Sequence, residues 1–159
     1  MIYFIIGLTL FIEQGVGLIA SADDEQTAVV ELISLLSVRY TESFTAELTV
    51  KNVENLDTVY AVLTYDAKVL KITPEDVTKG ELVPSPAKFL ANAEIAGKVR
   101  IIIDMSDEDA VSGEGVIARF RFTAIGERGS SMLTLSEVQL GDTTAKGIPV
   151  RVEPPFQWR

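Results

Sequence analysis

Residues 48–72 read LTVKNVENLDTVYAVLTYDAKVLKI, and the period of this stretch decides the fold. Apolar and polar residues alternate into Val50, break over Asn52 to Asp57, and alternate again through Tyr60, Val62 and Thr64 before a Tyr65-Asp66 pair and a fresh apolar start at Val69-Leu70. A period of two is that of a half-buried strand, and Asn and Asp between two such runs supply turn chemistry. The stretch predicts strand, turn, strand, then a tight turn at Tyr65-Asp66. There, Tyr65 places its ring in the core and Asp66 accepts hydrogen bonds from the turn amides.

The same grammar extends outward. In FTAELTV, Phe44, Ala46, Leu48 and Val50 share one face. KVRIII turns Val99, Ile101 and Ile103 inward and Arg100, Ile102 and Asp104 outward. GVIARFRFTAI puts Val116, Ala118, Phe120, Phe122 and Ala124 on one face, with Ile117, Arg119, Arg121 and Thr123 on the other. MLTLSEVQL begins with Leu133 and Leu135 inward, and IPVRVE is the last strand. Ala96-Gly97, Ser112-Gly113 and Gly126 to Ser130 mark turns. With no helical periodicity, these about nine short strands predict an all-β chain, an antiparallel β-sandwich of the jelly-roll kind.

Composition narrows function. The chain has 159 residues and neither cysteine nor histidine, which removes disulfides, thiolate metal sites and nucleophile–histidine pairs. An enzyme is not expected, and no catalytic residue is assigned. A formal net charge of −9 repels phosphate backbones and anionic lipid, so nucleic acid is excluded as a partner.

The ends read differently from the middle. MIYFIIGLTLFIEQGVGLIASADDEQ runs from an apolar stretch to Ala20-Ser21-Ala22 and then acidic residues, the order of a secretory signal cut after Ala22. Glu13 interrupts the stretch, which disfavours an uncleaved anchor. The expected layout is a signal peptide at 1–22, a sandwich domain at 23–152 and a short tail at 153–159. Such a protein is secreted, extracellular or at the cell surface, with no stable membrane association once the signal is removed.

The ordered set LTVKNVENLDTVYAVLTYDAKVLKI, GKVRIIIDMS, GEGVIARFRFTAI and LTLSEVQLGDTTAKGIPVRV resembles the cohesin family, the sandwich modules of scaffoldin-like secreted proteins, over about Thr27 to Val152. The resemblance implies a module that docks a dockerin-bearing protein in extracellular polysaccharide-degrading or cell-surface complexes. It implies no cofactor or metal of its own, calcium being carried by the dockerin. It also assigns the strands near Tyr60, Phe89, Ile101 and Leu135 to the binding face. Alternation then makes Thr58, Tyr60, Val62 and Ile102 the expected partner-binding residues, with Tyr60, Val62 and Ile102 a water-exposed apolar patch. Where many cellulosomal cohesins carry an amide and a carboxylate, Thr58 and Tyr60 present a hydroxyl and a ring.

Other constellations read more plainly. Asp104, Asp107, Glu108, Asp109 and Glu114 crowd one loop, but not at the spacing of a twelve-residue calcium loop, and are expected to be solvated. Arg119 and Arg121 face outward, with Glu47 across from them. A carbohydrate-binding module of the same fold, taking polysaccharide on stacked aromatic rings, is the alternative reading, although the rings are scattered and Trp158 sits in the tail. A surface-layer or adhesion domain without any site is the third.

Overall fold

A computed structural model describes residues 27–34, 39–126 and 131–154. The expected signal segment, its cleavage site, Phe156 and Trp158 lie outside the described residues. Ten strands are present among them: β1 (Ala28–Ile33), β2 (Ser43–Thr64), β3 (Leu70–Lys71), β4 (Val77–Lys79), β5 (Lys88–Asn92), β6 (Lys98–Asp104), β7 (Val111–Ala124), β8 (Thr134–Asp142), β9 (Gly147–Ile148) and β10 (Val150–Val152).

The expected turn at Asn52 to Asp57 is not a turn. β2 is one strand of 22 residues that bends through this segment. Asn52 and Asn55 take positive φ, 57° and 51°, and the pairing with β7 slips between Val50 and Val53 and again between Val53 and Leu56. Asn tolerates the left-handed region better than most residues. The sequence signal was therefore sound, but the bulges bend a strand from one layer into the other instead of ending it.

Two layers follow from that bend. The first half of β2 lies between β1 and β7, with β10 beside β1 and with β3 and β4 on the far edge of β7. Its second half lies between β6 and β8, with β5 outside β6 and β9 outside β8. Pairing is antiparallel except for β1 with β10, which is parallel. The inward residues of both layers form one core, in which Leu48, Leu56, Leu63, Ile101, Ile103, Phe120 and Phe122 are fully buried.

Phe122 stacks on Phe44 at 5.6 Å between ring centroids and meets the edge of Tyr65 at 5.2 Å, both favourable aromatic geometries. Asp66 behaves as expected: its carboxylate accepts from the Lys68 amide at 2.9 Å, while its carbonyl accepts from the Val69 and Leu70 amides.

Ile117 corrects the simple alternation of β7. Leu48 faces Ala118 but Thr49 faces Val116, so Ile117 is the extra residue of a bulge, and both it and Ala118 are fully buried. The chain after β4 packs on this bulge, where the amides of Gly80 and Leu82 donate to the carbonyls of Ile117 and Val116, each at 3.0 Å. A Cβ on Gly80 would stand 2.1 Å from the Val116 carbonyl oxygen, whereas one on Gly147 would meet nothing within 4 Å. Gly80→Ala is therefore expected to cost about 2 kcal/mol or more through backbone displacement, and Gly147→Ala to change stability by less than about 0.5 kcal/mol. Denaturant midpoints of the two variants check the contrast.

Candidate functional site

The outer face of the β5–β6–β2–β8 layer is a regular grid, because register alone places its side chains. Across the strands, one row holds Lys88, Asp104, Thr58 and Gly141. The next holds Leu90, Ile102, Tyr60 and Gln139, and the third Asn92, Arg100, Val62 and Glu137. Lys98, Thr64 and Thr134 close it. Residues facing one another across paired strands lie within contact range, so each row is a line of neighbours.

Three of the four residues expected from the sequence meet there as surface. Thr58 is exposed, Tyr60 half-buried and Ile102 42% exposed. Val62 corrects the expectation: it is only 2% exposed, although it stands outside the core cluster. Arg100 and Glu137 face it from either side, and long charged side chains cover a short apolar neighbour with their stems. Val62 thus adds no water-exposed apolar surface to the face.

The sequence reading missed Leu90, which is 65% exposed and lies directly across from Ile102. The signal was present in KFLAN, where placing Phe89 and Ala91 inward leaves Leu90 outward. What alternation could not supply was its neighbour, because pairing of β5 with β6 is a long-range fact. Leu90, Ile102 and Tyr60 form a contiguous apolar row, a kind of exposed surface that marks an interface more often than chance.

Small residues shape one end of the face. A Cβ on Gly141 would come within 2.3 Å of the Thr58 hydroxyl oxygen, so glycine is what lets Thr58 keep its position. Ser136 sits at a slip in the pairing of β8 with β2, and its hydroxyl donates to the Val62 carbonyl at 3.2 Å. The opposite layer contrasts with this face. There Arg119 pairs with Glu47 at 2.9 Å, as the sequence suggested, and also with Glu81, while Lys51 pairs with Glu31.

Carboxylates gather beyond Thr58. Partial burial raises the Asp57 carboxyl above its ordinary range; a hydrogen bond from Thr58 pulls it back, and Asp107, Asp104 and Asp142 push it further up. Asp142 is held below its ordinary range, first by the Thr144 hydroxyl at 2.6 Å, then by the amides of Lys146 and Thr144. In the acidic loop, Asp107–Asp109 forms a 3-10 turn in which the Ser106 hydroxyl donates to Asp109 at 2.6 Å. Among the described residues no group of three or more acidic side chains is placed to hold a metal ion.

A family model for the cohesin domain matches residues 36–152. The chain belongs to the cohesin domain family. Solved cohesins share its fold at low identity. The sixth cohesin of scaffoldin B from Acetivibrio cellulolyticus, solved in complex with a dockerin, is 18% identical with a TM-score of 0.70, over 81% of this chain and 96% of that one. A non-cellulosomal cohesin from the archaeon Archaeoglobus fulgidus is 19% identical with a TM-score of 0.67, over 81% and 88%. A type I cohesin–dockerin complex from Clostridium thermocellum gives 18% and 0.71, over 82% and 91%. No curated protein sequence matches this cohesin. Among the described residues no helix is long and apolar enough to cross a membrane.

The two perturbed aspartates of this cohesin make opposite predictions. For Asp57, the unfolded chain releases its proton first as pH rises, so stability falls through the window between the ordinary and the raised value. For Asp142 the folded chain releases first, so stability rises between the lowered and the ordinary value and is lost again in acid. Asp57→Asn is expected to stabilise at neutral pH and Asp142→Asn to destabilise, with both differences vanishing below the carboxylate range. Thermal melts of each variant at neutral and acid pH measure this.

Proposed function

We propose that this cohesin is a non-enzymatic docking module that binds a dockerin-bearing protein through the outer face of the β5–β6–β2–β8 layer. One observation carries the reading: Leu90, Ile102 and Tyr60 form a contiguous apolar row on the outer face of the sheet, in a family whose solved members include dockerin complexes. Aromatic residues near the centre of a face are favoured anchors, and charged residues at its margins set specificity and encounter rate. Thr58 and Tyr60 are the contact residues on β2, Ile102 and Leu90 those on β6 and β5, and Val62 is buried. The dockerin brings the calcium.

A cohesin of this kind works outside the cell, in extracellular polysaccharide-degrading or cell-surface complexes. The order of apolar stretch, Ala20-Ser21-Ala22 and acidic residues supports export with cleavage after Ala22. Mass spectrometry of the exported protein is then expected to find Asp23 at its N-terminus. Retention of the first residues would contradict the cleavage.

The docking itself is tested by titrating the chain with a panel of calcium-loaded dockerins, including those seen bound to the structural neighbours. Tyr60→Ala is expected to weaken binding by about 1–3 kcal/mol with an unchanged melting profile, and chelation of calcium to abolish it. Full affinity in Tyr60→Ala would move the interface elsewhere. Retention on insoluble polysaccharide, with no dockerin bound, would replace this function with carbohydrate binding.

A further inference from the structure

Four large apolar side chains stand in water at the end of the sandwich opposite the bend in β2: Tyr40, Ile95, Ile125 and Met132, each between 43% and 64% exposed. Backbone bonding gathers them round the turn from Tyr65 to Val69. The Tyr65 amide donates to the Gly97 carbonyl, close to Ile95, and the Asp66 amide donates to the Ser131 hydroxyl, next to Met132. On the far side of the turn the Ile125 amide donates to the Val69 carbonyl, and the Thr41 amide, next to Tyr40, donates to the carbonyl of Ala124. All four lie in turns or just beyond strand ends, so they project as separate tips.

Cations surround these tips. Arg39 precedes Tyr40, Lys68 lies within the turn, and Lys71 is in register with Thr123, two residues before Ile125. All three are exposed, and among the described residues none of them forms an ion pair. Glu42 and Asp66 share this end but accept the backbone amides of Arg39 and Lys68, at 3.0 and 2.9 Å, and Glu94, exposed next to Ile95, opposes the cations. Much of the formal net charge of −9 acts from elsewhere. The carboxylates that act on Asp57, namely Asp104, Asp107 and Asp142, lie at the bend, about 25 Å away by the rise of a strand. That is roughly three Debye lengths at physiological ionic strength, so a charge met by the turn end is screened from them.

Aliphatic tips inside a collar of lysine and arginine suit a lipid surface, where the tips enter the boundary of the acyl chains and the long cationic side chains stay among the headgroup phosphates. A second copy fits less well, because a two-fold contact would set the same cations against each other between two acidic molecules. A polysaccharide fits less well too, since three of the four tips have no ring to stack on a sugar. We propose that the turn end of this cohesin makes a reversible, peripheral contact with a bilayer containing anionic lipid, with Ile95, Ile125, Met132 and Tyr40 inserted and Arg39, Lys68 and Lys71 over the phosphates. The contact uses a surface separate from the docking face and does not depend on the docking function.

The absence of cysteine makes the test site-specific. The full chain carrying Met132→Cys is labelled with the polarity-sensitive fluorophore NBD and mixed with vesicles of equal parts phosphatidylcholine and phosphatidylglycerol. A blue shift with gain of intensity is expected, whereas the same label on Ser112→Cys, at the bend, stays in water. Vesicles of phosphatidylcholine alone are expected to bind about tenfold more weakly, and Lys68→Glu with Lys71→Glu to lose about tenfold on the anionic ones, both differences shrinking as salt is raised. Ile95→Asp with Ile125→Asp is expected to abolish the shift at position 132, while Leu90→Ser on the docking face leaves it unchanged. Circular dichroism checks that each variant is folded.

No shift at position 132 overturns the proposal, even where the chain sediments with vesicles, because binding then runs through another segment such as the apolar stretch at 2–12. A shift that survives Ile95→Asp with Ile125→Asp also overturns it. So does a shift that appears without vesicles and grows with protein concentration, which would assign the tips to a second copy.

Discussion

The bend in β2 is the constraint on which the rest of this cohesin depends. A single strand pairs with β1 and β7 along its first half and with β6 and β8 along its second, so the two layers are joined covalently through the middle of the sandwich. Bulges absorb the change of direction at Asn52 and Asn55, and the apolar residues on either side, Leu48, Val50, Val53, Leu56 and Val59, stay buried throughout. Straightening the strand would expose one half or the other. That large apolar burial holds two non-Gly residues in a sparsely populated backbone region.

From the bend follow both the core and the face. Because β2 enters the second layer as its central strand, Tyr60 stands between Ile102 and Gln139 instead of at an edge. Its ring is thereby carried by a strand that is paired on both sides, and a preorganised contact residue limits the ordering cost that a partner must offset on binding. At the far end, the Phe44–Phe122–Tyr65 ring cluster ties the turn after β2 to β7 in the opposite layer.

The two outer faces have different chemistry although both are made of alternating strands. On the β1–β2–β7 side, Arg119 is held by Glu47 and Glu81 and Lys51 by Glu31. On the other side the ion pair of Lys88 with Asp104 is long at 3.5 Å and exposed, and Leu90, Ile102 and Tyr60 form an apolar row. Internal pairing discourages unwanted contacts, whereas an apolar row between separated charges is suited to an external one.

By itself the sequence determined which residues face inward on most strands, because alternation is a property of neighbours along the chain. It settled the inward faces of Phe44 to Val50 and Val99 to Ile103 and the Tyr65-Asp66 turn, and it turned Thr58, Tyr60 and Ile102 outward. Only the tertiary structure decided what depends on register between distant segments: that Asn52 to Asp57 bends a strand without ending it, that Ile117 enters the core through a bulge, and that Leu90 completes a row with Ile102 and Tyr60. Val62 makes the reason plain. Alternation correctly turned it outward, but Arg100 and Glu137 come to lie on either side of it through hydrogen-bond ladders between segments far apart in the chain, and no local pattern records which residues those ladders bring together.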